Sequence, residues 1–341
     1  MTFSAGDVGE ALFYLQPDNA SIASFRAHAD QISVIAPQSY ALDRHGNLHG
    51  SLRADLMAIA HDGGVQVMPL VVNSGFSRTN AIRFLASPAA RDRAIGALVD
   101  QARDLALLGW QLDFENLPST QRAAFSRFVA EAAEALHRHG KLLSVAVAAR
   151  IVDDTYSDTY RKFSGVYDYT ALANSADFLS VMAYPESDKD PGPLASSPWV
   201  SQVLQHVLLR APAAKISLGL PTYQTDWTER RLRVRVRTRV AGQVKRVFHV
   251  FYRLIHRSGP VEVAPLQWDP RLESSYRVEG EGHDRRVTWV EDDRSFAAKL
   301  RFVDQYHLRG FSVWRLGLED SRIWPELPAA VRAAQAPAPP P

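Results

Sequence analysis

Two carboxylates and an amide stand at every second position of the segment Leu108–Asn116, which reads LGWQLDFEN. Because side chains of a β-strand point alternately to its two faces, Gln111, Asp113 and Glu115 share one face if this segment is a strand. Burial and mutual repulsion raise the pKa of one of two neighbouring carboxyls, so that a protonated group stands beside an ionised one. General acid catalysis near neutral pH needs such a pair.

The elements that must position this pair are predicted from apolar or β-branched runs that alternate with helical patterns, such as Ser87–Leu108 and Ser119–Gly140. Eight runs with crossover connections predict an α/β fold, a closed (β/α)8 TIM barrel, rather than an open doubly wound sheet. No Gly-x-Gly-x-x-Gly follows the first run, which removes the main support for a dinucleotide-binding fold. The candidate strands are Ala11–Gln16, Ile32–Pro37, Val65–Val72, Trp110–Glu115, Leu142–Ala148, Phe178–Tyr184, Ile216–Leu220 and Gly310–Leu316.

The carboxylate pair has two interpretations within such a barrel. Trp110, Leu112 and Phe114 form the apolar face and should point to the helices, which leaves the acidic face toward the barrel axis. Either Arg150 or Arg315, each near a strand end, neutralises the pair in a purely structural role. The alternative is catalysis, which the position at the carboxyl end of the fourth strand favours because active sites of these barrels form there.

The connection between the seventh and eighth strands is much longer than a helix and two loops require. We predict a barrel over residues 1–225 and 290–331, a small α+β insertion over 226–289, and a Pro/Ala-rich tail over 332–341. The insertion contains Arg231–Val240, RLRVRVRTRV, and a second run, Val244–Leu254, after Gly242 and Gln243, which predicts an antiparallel hairpin. The arginines indicate either a site for an acidic glycan or partner, or a solvated sheet face.

Four segments fall at the ends of the fourth, sixth, seventh and eighth candidate strands: Gly109–Glu115, Val181–Tyr184, Gly219–Tyr223 and Gly310–Asp320. In this order they resemble the strand-end motifs of glycoside hydrolase family 18, the chitinase-like barrels. The similarity extends from the second strand to the end of the barrel. It is nearest to the bacterial branch that includes spore-germination and cell-wall N-acetylglucosaminidases.

This resemblance implies a retaining hydrolase of β-1,4-linked N-acetylglucosamine polysaccharide, such as peptidoglycan or a chitin-like polymer. In this family the residue matching Glu115 protonates the glycosidic oxygen, while the substrate's own acetamido group attacks the anomeric carbon. By the same resemblance Asp113 orients the acetamido group, Tyr184 donates a hydrogen bond to its oxygen, and Trp314 forms the floor beneath the sugar.

Further substrate contacts are expected from residues at strand ends. Tyr14 and Tyr40 lie near the ends of the first and second strands, where packing is the competing role. Met182 belongs to the sixth-strand segment, Asn73 follows the third strand, and Gln111 shares the acidic face of the fourth. The expected ligand of all these residues is an N-acetylglucosamine-containing glycan.

Three positions depart from the family pattern. Leu108 and Gln111 replace acidic residues of the fourth-strand signature, and Pro185 replaces an Asp after the sixth-strand Tyr. Gln111 is expected to donate a hydrogen bond to Asp113. The departures keep open an alternative, a catalytically weakened carbohydrate-binding barrel or a module of a larger cell-envelope protein that processes glycans.

Composition excludes several other functions. With 39 Lys+Arg, 37 Asp+Glu and a net charge of +2, the chain is too balanced for an extended nucleic-acid surface. It has no Cys, and His45 and His49 flank a Gly-Asn turn, so no metal site is predicted. No cofactor is implied, because side chains and substrate supply the chemistry. We predict no membrane span and no signal peptide in this chain, an extracytoplasmic location, and room for further domains in a longer parent protein.

Overall fold

The computed structural model describes residues 10–187, 190–240, 243–262, 264–282 and 285–327, and for 229–256 and 326 the backbone only. The strands in chain order are β1 Glu10–Leu15, β2 Val34–Leu42, β3 Leu48–Gly50, β4 Gln66–Val67, β5 Leu70–Asn73, β6 Gly109–Asp113, β7 Leu142–Ala148, β8 Phe178–Met182, β9 Ile216–Pro221, β10 Gln224–Val240, β11 Gln243–Gly259, β12 Gln267–Asp269, β13 Ser274–Glu279, β14 Arg286–Val290 and β15 Gly310–Trp314. The helices are α1 Asn19–His28, α2 Ala54–Gly63, α3 Arg78–Ala86, α4 Pro88–Asp104, α5 Arg122–His137, α6 Asp158–Lys162, α7 Tyr169–Ser175, α8 Ser197–Leu208 and α9 Asp293–Gln305.

Eight parallel strands close into a barrel in the order β1, β2, β5, β6, β7, β8, β9 and β15. The first strand pairs with its neighbours on both sides, β2 and β15, and thereby closes the ring. Apolar side chains of the strands and of the surrounding helices form one large buried cluster between the two layers. The predicted (β/α)8 TIM barrel is confirmed.

Helix boundaries follow local capping chemistry. Ser87 accepts a hydrogen bond from the backbone N–H of Ala90 at 3.3 Å, and Pro88 occupies the first turn of α4. This matches the predicted start, since a capping hydroxyl satisfies an otherwise unpaired N–H and proline needs no N–H there. The helix ends at Asp104, four positions before the predicted Leu108, which lies directly before β6.

Four predicted strands are shorter than expected, and the sixth and eighth stop at Met182 and Trp314 rather than at Tyr184 and Leu316. The third divides into β4 and β5 around Met68 and Pro69, because proline lacks the N–H that a continuous ladder requires. The fourth ends at Asp113, so Glu115 lies beyond the sheet rather than at its last position. Asp113 therefore belongs to a β-strand, whereas Glu115 lies in the loop that follows it.

The insertion is built on an antiparallel sheet with the strand order β11, β10, β14, β13 and β12. Strands β10 and β11 pair from Gln224 with Gly259 to Val240 with Gln243, which confirms the predicted hairpin. The described part of the insertion has strands and no α-helix, so the helical part of the expected α+β insertion is wrong for those residues. The side chains of Arg231–Val240 and the tail 332–341 lie outside the described part of the chain.

None of the helices in the described ranges is both long enough and apolar enough to cross a lipid bilayer.

Candidate active site

The backbone of β6 is fixed from its outer face. Trp110 is fully buried and donates its indole N–H to the carbonyl of Leu98 in α4 at 2.8 Å. Phe114 packs on Phe125, with ring centroids 5.9 Å apart. Because this face points to the helices, alternation turns Gln111 and the acidic residues toward the barrel axis.

A glycine is required where β6 begins. A Cβ atom on Gly109 would lie 1.9 Å from the carbonyl oxygen of Leu142 on β7, which is far inside van der Waals contact. The absence of a side chain lets the two strands approach in this register.

A cavity of about 580 Å³ opens at the carboxyl ends of the barrel strands. Asp113, which is 5% exposed, and the partly buried Glu115 line it together. Four more of the predicted site residues also line it, namely Tyr14, Met182, Tyr184 and Trp314. The predicted acidic residues, the tyrosine of the sixth-strand segment and the floor tryptophan therefore share one cavity.

Burial and mutual repulsion govern the two carboxyls. Burial, followed by the charge of Glu115, raises the pKa of Asp113 from 3.8 to about 8. Burial also raises the pKa of Glu115 above its ordinary value. Since the two groups titrate together, the pair keeps at least one proton near neutral pH.

The two arginines of the structural interpretation are engaged elsewhere. Arg150 binds Asp153 at 3.0 Å and donates to the backbone carbonyl of Tyr167 at 3.0 Å. Arg315 binds Asp18 at 2.8 Å. Neither guanidinium neutralises the pair, so the geometry favours chemistry over a structural salt bridge.

Tyr184 is a neutral hydrogen-bond donor at the cavity wall. Burial raises the pKa of its hydroxyl well above 10.0, and the neighbouring Tyr14, Tyr223 and the two carboxyls raise it further. A phenol in this environment stays protonated at any physiological pH and can donate to an oxygen of a ligand.

Tyr14 ends a chain of hydroxyls inside the barrel. Its Oη lies 2.6 Å from Ser180 Oγ, which lies 2.6 Å from Ser312 Oγ. The ring of Tyr14 packs at a tilt against Trp314, with centroids 5.6 Å apart. These contacts fix Tyr14 and the floor tryptophan relative to each other.

Three residues that were expected to contact substrate do not line the cavity. Gln111 is fully buried below it, and its Nε2 donates to Ser144 Oγ at 2.9 Å instead of to Asp113. Tyr40 packs edge-on against Trp110 with centroids 5.0 Å apart, in the layer between barrel and helices.

Asn73 is the third of these residues. Its amide bonds the backbone of Glu115, accepting from the N–H at 2.9 Å and donating to the carbonyl at 3.1 Å. The residue is 2% exposed and does not line the cavity. Its side chain therefore holds the segment that bears Glu115.

Several cavity residues were not predicted. Tyr223 closes the seventh-strand segment, whose sequence already resembled a family motif, so that signal was available. Gln38 lies on β2 and Thr159 in α6, and further lining residues come from loops, short turns and α8, where no periodic pattern points to a site: Gln16, Phe76, Phe163, Ser164, Pro185 and Trp199. Glu186, the acidic residue that directly follows Pro185, does not line the cavity, and its carboxylate accepts from the N–H of Ser196 before α8 at 2.6 Å.

Among the described residues no group of three His, Asp or Glu side chains is arranged to hold a metal ion. The cavity offers aromatic faces, hydroxyls, amides and two carboxyls. This chemistry suits a neutral, hydroxyl-rich ligand and proton transfer.

A closed (β/α)8 barrel with a carboxyl pair at the end of its fourth strand, inside an aromatic cavity, defines a glycosidase. The family model of the glycosyl hydrolases family 18 matches residues 19–319. The chain belongs to glycosyl hydrolase family 18.

Relatives of known name are glycosylases and chitinases. A Bacillus subtilis protein called uncharacterized glycosylase YvbX is 26% identical over 93% of this chain and 90% of its own length. The cortical fragment-lytic enzyme of the same species is 25% identical over 92% of this chain and 73% of its own. Among solved structures, a chitinase from Chromobacterium violaceum matches with a TM-score of 0.77 and 26% identity, covering 93% of this chain and 97% of that one.

Proposed function

We propose that the protein is a retaining glycosidase that cleaves β-1,4 bonds in N-acetylglucosamine-containing polysaccharide, either peptidoglycan or a chitin-like polymer. The observation that supports this function most strongly is the coupled pair Asp113 and Glu115, held without a neutralising arginine at the wall of an aromatic cavity. The names of the relatives, a cortical fragment-lytic enzyme and a chitinase, agree with this class of substrate.

Glu115 acts first as the general acid. Burial raises the pKa of the Glu115 carboxyl, which favours its protonated form, and in this proposal Glu115 delivers a proton to the glycosidic oxygen as the bond to the anomeric carbon breaks. The resulting carboxylate then takes a proton from the water that enters, which restores the acid.

The substrate supplies the nucleophile in this proposal. The carbonyl oxygen of its 2-acetamido group bonds to the anomeric carbon and forms a cyclic oxazolinium ion. Positive charge on this ion favours the ionised form of Asp113, and the buried carboxylate stabilises the ion in return. Water then opens the ring from the opposite side, so two inversions give net retention.

Tyr184 and Trp314 position the reacting sugar. The neutral Tyr184 hydroxyl is a suitable donor to the acetamido oxygen, and the indole of Trp314 offers an apolar face to the ring. Tyr14 supports that indole from the side.

The proposal is tested by the release of reducing ends from chitooligosaccharide and from peptidoglycan. Wild-type protein is expected to release them, and Glu115→Gln is expected to lose activity by about 100-fold or more, because the amide has no proton to give. Thermal unfolding of both proteins controls for folding. Equal inertness of the folded wild type and variant on both glycans would rule out hydrolysis of these substrates.

A second candidate is a carbohydrate-binding barrel with weakened chemistry. Its support is that neither Gln111 nor Glu186 replaces the missing acidic groups near Asp113, since each bonds elsewhere. Saturable binding of chitooligosaccharide without turnover would favour this candidate. Retention of both Asp113 and Glu115 in the cavity is the reason that we place hydrolysis first.

The proposed place of action is extracytoplasmic, in the periplasm, the cell wall or the surroundings of the cell, where such glycans lie. We further propose the boundaries 1–225 and 290–331 for the barrel domain and 226–289 for the insertion.

A further inference from the structure

The segment that bears Glu115 lies outside the regular sheet. The last paired positions of β5 and β6 are Val72 and Asp113, so the strand ladder stops two residues before Glu115. Backbone N–H and carbonyl groups in a partly buried segment need other partners. The general acid would otherwise sit on an unsupported turn.

Asn73 supplies the next rung of this ladder with its side chain. Its Oδ1 accepts from the Glu115 N–H at 2.9 Å, and its Nδ2 donates to the Glu115 carbonyl at 3.1 Å. A carboxamide has an N–H donor and a C=O acceptor, as a peptide unit has. It can therefore make both hydrogen bonds that a neighbouring strand would make to the Glu115 backbone. The acid is thereby fixed to β5 through its own backbone.

Arg78 holds the residue that follows. Asn116 has a left-handed φ of 60°, a conformation that Asn tolerates better than most residues. Arg78 Nε donates to the carbonyl of Asn116 at 2.9 Å, and its Nη2 donates to the carbonyl of Lys162 at 2.9 Å. Lys162 directly precedes Phe163 and Ser164, which line the cavity.

We propose that Asn73 and Arg78 are positioning residues for Glu115, a role that rests on the function proposed above. Asn73 fixes the backbone of Glu115 relative to the end of β5. Arg78, through one planar guanidinium, joins the turn after Glu115 to the cavity wall that holds Phe163. Neither side chain lines the cavity, so both act through backbone that they hold.

The two roles predict different kinetic signatures. Misplacement of a catalytic group lowers kcat without weakening substrate binding. Asn73→Asp keeps the size and the acceptor but removes the donor to the Glu115 carbonyl, so we expect kcat to fall about 10- to 100-fold with KM within about twofold. Arg78→Ala releases the cavity wall as well, so we expect kcat to fall about 10-fold and KM to rise.

The experiment measures kcat and KM on a chitooligosaccharide for wild type, Asn73→Asp, Arg78→Ala and Arg78→Lys. Lysine keeps the charge but not the planar fork, so Arg78→Lys is expected to resemble Arg78→Ala. Arg83→Ala removes another exposed arginine of α3 and is expected to leave both constants unchanged. Thermal unfolding is measured for each variant.

Glu115→Gln, assayed in parallel, separates the two proposals. If Glu115→Gln stays active, the proposed function fails whatever the other variants do. If it is inactive while folded Asn73→Asp and Arg78→Ala match wild type, only the positioning proposal is overturned. Full rescue by Arg78→Lys would overturn the role of the guanidinium fork. Should Asn73→Asp not fold, the exposed Arg78 variants decide the outcome.

Discussion

At the scale of single residues, the buried carboxyl of Asp113 lowers the stability of the folded protein as pH rises. Burial and the charge of Glu115 raise the pKa of its carboxyl from 3.8 to about 8. Because the folded-state pKa lies above the unfolded value, the unfolded chain releases this proton first as pH rises. Asp113 therefore lowers the free energy of unfolding progressively between about pH 4 and pH 8, and the loss is complete above that window.

Asp113→Asn is expected to remove this cost. The variant should unfold at a higher temperature than wild type at neutral pH, with a gain of about 1 kcal/mol or more, and should lose most of its hydrolytic activity. The gain should shrink toward pH 4, where Asp113 is protonated in both states. Thermal unfolding followed at several pH values checks the trend. A variant less stable than wild type at pH 8 would contradict the raised pKa.

Side-chain alternation predicted the acidic face of β6 correctly, whereas Tyr40, a candidate sugar contact, takes the competing packing role. The residue shares its parity with Gln38, which lines the cavity, yet Tyr40 packs outward on Trp110. The pairing of β2 with β5 shifts register between Gln38 and Tyr40, and such an irregularity turns later side chains to the other face. No residue type in the segment marks this shift, so the sequence alone could not predict it.

At the scale of elements, a buried ion pair lies where the chain returns from the insertion to the barrel. Glu291, directly after β14, accepts from Lys299 of α9 at 2.8 Å, and both side chains are almost fully buried. The N–H of Glu291 also donates to the carbonyl of Tyr223, which lines the cavity, at 3.3 Å. The pair thus fixes the segment that follows β14 to the last barrel helix and, through the Glu291 backbone, to the cavity wall.

Lys299→Met is expected to lower the free energy of unfolding by about 3 kcal/mol, because it leaves the buried Glu291 without its cation. Adding Glu291→Gln to the same chain should recover much of that loss, since no unpaired charge then remains. Urea unfolding of the single and double variants measures both effects. Equal stability of wild type and Lys299→Met would show that the pair does not stabilise this junction.

Element boundaries were predicted less well than element order. Proline at position 69 interrupts the third strand, and the ladder of β6 stops at Asp113 although the apolar alternation continues through Phe114. Strand ends depend on which backbone partner the neighbouring strand offers. The hold of Asn73 on Glu115 joins residues that are far apart in sequence, and no local pattern predicts it.

At the scale of the whole molecule, the closed barrel explains why short segments far apart in sequence meet at one cavity. Parallel strands bring their carboxyl ends to the same rim, which explains why Asp113, Tyr184 and Trp314, singled out by the family resemblance, converge there. The loops that complete the cavity were not predicted, because the positions of residues such as Phe163 and Trp199 depend on packing across the rim.

The central claim is that Glu115 protonates the leaving group, and the dependence of rate on that group tests it most directly. Wild type and Glu115→Gln are compared on a chitooligosaccharide and on a dinitrophenyl glycoside of the same sugar, whose leaving group departs without protonation. We expect the variant to lose about 100-fold or more on the oligosaccharide and far less on the dinitrophenyl substrate. Equal losses on both substrates would contradict the assignment of Glu115 as the general acid.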